Sequence, residues 1–206
     1  MFTRVSRFAP LTGIAFAGFA IVAFGSSRQP PGATASGAKV IAFYTAHSAG
    51  QQRSDYFWFL AFTFLMFFAG SLRARLRRSE ATEALSSLTL AGASTLAVGA
   101  TVFFGFDYTL AVVPSHLDPA AAQTLNVLAL KLAFPMAVGG CVFGIASGLA
   151  IVRGRQLPAW LGWSAIVIGV TSATPAALIG IVALIPWVAI VSVLTTRQNL
   201  NPFHFG

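Results

Sequence analysis

Charged side chains are scarce in this chain of 206 residues, where only 9% of positions carry a charge. A water-soluble domain needs far more charge to cover its surface, whereas here 56% of the residues are hydrophobic and the mean hydropathy is +0.78. Strand-like alternation of polar and apolar residues is also missing, which argues against an outer-membrane barrel. The composition predicts an all-α, polytopic membrane helix bundle, with residues 1–206 in a single transmembrane domain.

Cysteine, histidine and acidic residues are too few to build most catalytic or metal centres. Cys141 is the only cysteine, so no internal disulfide can form, and its apolar setting predicts a packing role. The three histidines lie in predicted outer segments or near the C terminus, whereas a haem or di-metal bundle needs ligands on facing helices. Motifs of serine hydrolases, zinc proteases and phosphate-binding loops are absent. We expect no enzyme activity, no metal and no cofactor.

Basic residues outnumber acidic ones by 13 to 5, which gives a formal net charge of +8. No segment suits a soluble nucleic-acid-binding module, so we expect no nucleic acid and attribute the excess to topology and to anionic lipid headgroups. The clearest cluster is Arg73, Arg75, Arg77 and Arg78, between two apolar stretches. It predicts a hairpin of two spans whose turn is anchored in the cytoplasm.

Six apolar stretches are candidates for helices that cross the roughly 30 Å hydrocarbon core. They cover residues 8–25, 56–72, 84–106, 124–152, 158–173 and 176–195. The first follows a basic start, and a secretory signal is the alternative to an uncleaved helix. The fifth is short, and a re-entrant half-helix is the alternative to a full crossing. Before the second span, Lys39 to Gln51 predicts a short amphipathic helix that lies on the outer interface and ends at Gly50.

The distribution of basic residues predicts the orientation of these six spans. Nine lie on one side and three on the other, which places both termini in the cytoplasm of a bacterial plasma membrane. The inner set is Arg4, Arg7, Arg73, Arg75, Arg77, Arg78, Arg153, Arg155 and Arg197, and the outer set is Arg28, Lys39 and Arg53. The second span is rich in phenylalanine, and Trp58 near its outer end is expected in the aromatic belt.

Three polar residues near the outer edge are candidates for a ligand site or an ion pair. Counting about 20 residues back from Arg153 places Lys131 at the outer membrane boundary. Asp107, at the outer end of the third span, lies at a similar depth. An Asp107–Lys131 pair is therefore predicted, either as a structural anchor or as part of a ligand or ion site. His116, in the outer loop between these residues, is the third candidate.

Glycines recur at every fourth position of the fourth span, at Gly140, Gly144 and Gly148. Such a face lets another helix approach closely. Packing inside the chain is the expected use, and a protein partner or a second copy of the chain is the alternative.

Several short motifs resemble a known group of proteins. A proline-rich loop leads into Val40-Ile41-Ala42-Phe43-Tyr44, the fifth span opens with Leu157-Pro158-Ala159-Trp160-Leu161-Gly162-Trp163, and the last ends in Thr195-Thr196-Arg197. Over nearly its whole length the chain resembles small six-helix membrane proteins of unknown function from high-GC Gram-positive bacteria. The resemblance implies the six-span topology and brings no activity or site residue with it.

Two functions are compatible with these features. We expect a non-catalytic accessory or scaffold subunit of a membrane complex, which contacts membrane lipids and packs through its glycine faces. The alternative is a transporter or substrate-capturing membrane component for a small hydrophobic molecule or lipid.

Overall fold

The computed structural model describes residues 11–77, 80–131 and 133–200, so Arg78 of the arginine cluster lies outside the described residues. Within these ranges the chain is helical and contains no strand. The helices are α1 (Thr12–Ser26), α2 (Gly37–Leu76), α3 (Glu80–Val112), a 3₁₀ turn (Pro114–His116), α4 (Pro119–Lys131), α5 (Ala133–Gly154), α6 (Ala159–Ser172) and α7 (Ala177–Leu200). The predicted all-α bundle is confirmed.

Four helical stretches are long and apolar enough to cross a membrane. They are α2, α3, α7 and the stretch Pro119–Gly154, which contains α4 and α5. The helices α1 and α6 are apolar but shorter, with 15 and 14 residues, or about 22 and 21 Å at 1.5 Å per residue. The molecule is therefore a helical membrane protein.

The longest helix, α2, contradicts the prediction of a separate amphipathic helix on the interface. Its 40 residues extend about 60 Å and pass through Gly50 without a break. A glycine inside a helix costs only about 1 kcal/mol. Packing outweighs that cost, because Val40 and Tyr44 in the first part of α2 are buried against Leu110 and Ala122. The segment that was expected to lie on the interface therefore continues the second span.

The first part of α2 (residues 37–50), the end of α3, the 3₁₀ turn and α4 form a small subdomain with its own apolar core, which we call the cap. Asp118 caps the start of α4, since its carboxylate accepts the backbone N–H of Ala120 at 2.7 Å. The Asn126 amide donates to the carbonyl of Pro31 at 3.1 Å, which fastens the proline-rich loop to α4. The loop and the cap are thus held together at one end of the bundle.

Glycines bring helices into backbone contact at two interfaces. Between α3 and α5, a Cβ added at Gly92 would overlap the backbone nitrogen of Phe143, and one added at Gly139 would overlap that of Leu96. Between α5 and α6, a Cβ at Gly144 would lie 2.7 Å from the carbonyl oxygen of Ala165. The predicted glycine face (Gly140, Gly144 and Gly148) is buried and covered by α6 of the same chain.

Arginine side chains gather at the end of the bundle opposite the cap. Arg75 reaches the end of α7, where its guanidinium donates to the Gln198 side chain and to Asn199 Oδ1. Arg73 is half-buried, whereas Arg77 is exposed. One member of the cluster therefore connects α2 to α7 in addition to any role in topology.

Candidate ligand cavity

A cavity of about 520 Å³ lies beneath the cap, between α1, α2, α3, α5 and α7. Most of its wall consists of aromatic and aliphatic side chains: Phe16, Trp58, Phe62, Leu96, Phe103, Phe104, Met136, Ile181, Leu184 and Ile185. Polar side chains line the part nearest the cap: Arg28, Gln29, Gln51, Ser54, Asp55 and Asp107. Small-molecule sites have this size and composition, with apolar walls and a few convergent polar groups.

Two carboxyl groups lie together in the polar part of the cavity. Asp55 and Asp107 are 5% and 4% exposed, and their side chains share a hydrogen bond. Asp107 Oδ1 accepts the hydroxyl of Tyr44, and its Oδ2 accepts the Gln51 amide at 3.3 Å. Asp55 carries the second carboxyl group, and its Oδ2 is buried. The two carboxyl groups thus form a buried pair, which Tyr44 and Gln51 hold through the oxygens of Asp107.

Helical spacing explains how these groups meet. Tyr44, Gln51, Asp55 and Trp58 follow one another at intervals of seven, four and three residues, so they share one face of α2. The arginine-rich turn makes α3 antiparallel to α2, which brings Asp107 back to the level of Asp55. The continuous α2 helix is essential here, because a break at Gly50 would separate Tyr44 from the rest of the face.

Hydrogen bonds fasten α1 and the following loop to this face. Gln51 Oε1 accepts the backbone N–H of Arg28 at 2.8 Å, while Ser54 Oγ donates to the carbonyl of Ala23 at 3.0 Å. The Arg28 side chain itself is exposed at the cavity lining. Gln51 therefore links the loop to Asp107 and supports the polar part of the cavity.

The predicted place of Trp58 in the aromatic belt is wrong. Trp58 is buried, and its ring stacks on Phe104 with the centroids 5.2 Å apart and the planes inclined by 12°. Phe24 meets the same indole edge-on at 4.9 Å. The reason is that Trp58 shares the face of Asp55, which is turned towards α3. Tyr56 and Phe59 are the aromatic side chains of α2 that are exposed at this level.

A second, smaller cavity of about 250 Å³ lies between α2 and α3. It shares Asp55, Phe62 and Phe104 with the larger one, so these three side chains separate the two spaces. Its other lining includes Tyr56 and Tyr108, which are exposed. Asp55 therefore lies between the interior of the bundle and its surface.

Of the three predicted site residues, the structure places only Asp107 at the cavity. The predicted Asp107–Lys131 pair is wrong, because Asp107 turns inward to Tyr44 and Gln51, whereas Lys131 is exposed at the end of α4. His116 is exposed in the 3₁₀ turn, where its Nδ1 lies 3.5 Å from Ser115 Oγ. It lines neither cavity.

Asp55 was missed by the sequence analysis, although the sequence contains a signal for it. The chain has 5 acidic residues, and two of them, Asp55 and Asp107, stand at the cap ends of two adjacent antiparallel spans. Such a pair is expected at the same depth. Within the described part of the chain, no group of three or more His, Cys, Asp or Glu side chains could hold a metal ion.

Comparison with protein-family models, with curated proteins and with solved structures gave no match for this chain. The resemblance to small six-helix proteins of high-GC Gram-positive bacteria stays a prediction.

Proposed function

We propose that this membrane protein captures a small, largely hydrophobic molecule in the cavity beneath its cap. The observation that carries the proposal is the cavity itself, since about 520 Å³ of space with aromatic walls and a polar end suits one such molecule. Of the two functions predicted from the sequence, this is the substrate-capturing alternative. The geometry favours it over an accessory subunit for one reason. The glycine face of α5, through which a partner could have packed, is covered by α6 of the same chain.

Affinity for such a molecule needs a source other than water exclusion. A hydrophobic molecule dissolved in lipid gains little by moving to another apolar surrounding, because lipid tails are as apolar as leucine. Close contact with rigid aromatic walls supplies dispersion energy. The polar end supplies direction and discrimination, since polar contacts are strong where water is excluded.

Filling the cavity is expected to abolish capture. The substitution Ile181→Trp puts a larger side chain on the lining, whereas Ile179→Trp makes the same change at a position on α7 that is 67% exposed and outside the cavity. A photoreactive long-chain alcohol, irradiated with the purified protein, should label cavity residues of the wild type. We expect labelling to fall at least about tenfold in Ile181→Trp, a loss of about 1.4 kcal/mol, and to persist in Ile179→Trp. Equal labelling of the two variants contradicts the proposal.

For orientation, we propose that the cap faces the outside of a bacterial plasma membrane and that both termini are cytoplasmic. The described arginines at the opposite end of the bundle support this: Arg73, Arg75, Arg77, Arg153, Arg155 and Arg197. A fluorescent protein fused to the C terminus should fluoresce, and alkaline phosphatase fused at the same place should be inactive. An active phosphatase fusion would rule out this orientation.

A further inference from the structure

The helices α1 and α7 touch at the end of the bundle opposite the cap and separate towards the cap. A Cβ added at Gly13 would lie 3.0 Å from the side chains of Val188 and Ser192, so the two helices are in close contact there. Phe24 follows Gly13 by about three helical turns and therefore leaves α1 in nearly the same direction. Phe24 is nevertheless 46% exposed. The face of α1 that α7 covers at one end is thus open at the other.

The corresponding face of α7 opens in the same way. Leu178, Ile185 and Ser192 follow one another at intervals of seven residues, so they lie on one side of the helix. The exposed fraction falls from 70% at Leu178 to 8% at Ile185 and 0% at Ser192. Three exposed side chains beside this opening, Phe24, Leu178 and Val182, also line the large cavity. The cavity therefore opens sideways between α1 and α7, at a place that we call the mouth.

The surroundings of the mouth are apolar. Ile21 and Val22 on α1 and Ile179 on α7 are exposed next to it. The helix α7 is long and apolar enough to cross a membrane, and α1 is apolar over its whole length. Lipid tails are as apolar as these side chains, so they can cover them without cost. A lipid chain can therefore pass from the membrane into the cavity without crossing water.

Arg28 places a positive charge beside the mouth. It lies two residues after the end of α1, lines the cavity, and has an exposed side chain. Its backbone N–H donates to Gln51 Oε1 at 2.8 Å, which fixes the position of the residue. Within the described part of the chain its guanidinium group has no hydrogen-bond or ion-pair partner. A guanidinium group binds phosphate and carboxylate groups through two parallel hydrogen bonds.

The charges of the cavity are arranged along its length. The positive side chain of Arg28 is exposed at the edge, whereas the acidic pair Asp55 and Asp107 is buried inside. An anionic group is attracted to the edge, and the acidic pair disfavours it further in. An amphiphile with an anionic headgroup would therefore enter with its apolar chain first.

We propose that the ligand is an amphiphile with an anionic headgroup, which enters from the membrane through the mouth and leaves its headgroup at Arg28. This inference rests on the proposed function and specifies the class of ligand and its route. The apolar chain lies against the aromatic wall that includes Trp58 and Phe62. The contact with Arg28 provides the discrimination that apolar packing alone cannot give to a molecule arriving from lipid.

Three photoreactive probes of equal chain length test the choice of headgroup on the full-length protein: a carboxylic acid, an alcohol and a primary amine. We expect the acid to label cavity residues about ten times more strongly than the alcohol, and the amine to label them least. This comparison needs no variant. If the acid labels no more strongly than the alcohol, the inference is overturned and the proposed function stands, whereas absence of cavity labelling by all three defeats both.

A matched pair of substitutions assigns the preference to Arg28. In Arg28→Gln the charge is lost from an exposed side chain, so the preference for the acid over the alcohol should disappear. Arg53→Gln makes the same change on α2, at an exposed arginine outside the cavity lining, and the preference should remain. A preference that survives Arg28→Gln overturns the inference.

Lipids with brominated acyl chains test the route, because bromine quenches tryptophan fluorescence on contact. Two variants each retain one of the four tryptophans and have phenylalanine at the other three positions. One retains Trp58, which is buried and lines the cavity, and the other retains Trp187, which is buried outside the cavity lining. In nanodiscs of the brominated lipid, Trp58 should lose most of its emission and Trp187 should keep it. If Trp58 keeps its emission while the alcohol probe labels the cavity, the route is wrong and the proposed function stands.

The anionic headgroup can belong to a phospholipid or to a fatty acid, and the membrane composition distinguishes these sources. Phosphatidylglycerol has a net negative charge, whereas phosphatidylcholine has none. If nanodiscs of the first lipid suppress labelling by the acid probe more than nanodiscs of the second, a phospholipid occupies the site. If neither suppresses labelling, the ligand is a fatty acid, and both results agree with the inference. Stronger suppression by phosphatidylcholine contradicts it.

Discussion

Gly92→Ala should lower the stability of the helix bundle by about 1–3 kcal/mol or more, because overpacking a closely fitted interface forces the backbone to move. A Cβ at this position would overlap the backbone nitrogen of Phe143 and come within 2.8 Å of its Cα, and neither atom can turn away as a side chain would. The α3–α5 interface must then separate along its length, since Gly139 makes the reciprocal contact with Leu96. Thermal unfolding of the purified protein in detergent, followed by tryptophan fluorescence, measures the loss.

Gly105→Ala is the matched control, since Gly105 lies in the same helix and has open space where the new Cβ would be. Alanine favours helix over glycine by up to about 1 kcal/mol, so this variant should unfold at the same or a higher temperature than the wild type. Equal unfolding temperatures for Gly92→Ala and Gly105→Ala would show that α3 and α5 are not in backbone contact.

Tyr44→Phe should destabilise the cap by about 1.5–3 kcal/mol, because it removes a buried hydrogen bond to a carboxyl group. The ring is 1% exposed and phenylalanine preserves its shape, so the loss comes from the hydroxyl that donates to Asp107 Oδ1. The unfolding temperature in detergent and the rate of limited proteolysis in the loop before α2 both report the change. Faster cleavage is expected, because Asp107 accepts the amide of Gln51, and Gln51 in turn accepts the backbone N–H of Arg28 in that loop.

Tyr108→Phe is the control for this prediction. Tyr108 is the residue after Asp107, it is 45% exposed, and loss of its hydroxyl should change stability by no more than about 0.5 kcal/mol. If Tyr44→Phe unfolds like Tyr108→Phe, the buried hydrogen bond does not hold α2 to α3, and the polar part of the cavity is not preorganised.

The sequence was sufficient for properties that depend on neighbouring residues. Runs of apolar residues identify the helices, and Asp118 followed by Pro119 identifies the start of α4, because hydrophobic length and capping are local. The spacing of Gly140, Gly144 and Gly148 also identified a face for close packing. Which helix covers that face was left open, and α6 does so by placing its own small residues, Gly162 and Gly169, against it.

Only the tertiary structure decided what the buried carboxyl groups contact. Depth along the membrane made Lys131 a reasonable partner for Asp107, but each residue turns a helix by about 100°, and depth does not specify rotation. The packing of α3 on α2 and α5 sets that rotation and directs Asp107 to Tyr44 and Gln51. The same packing brings Asp55 beside it and leaves a cavity. Composition and charge thus determined a helical membrane protein, whereas contacts between residues far apart in the chain determined its candidate site.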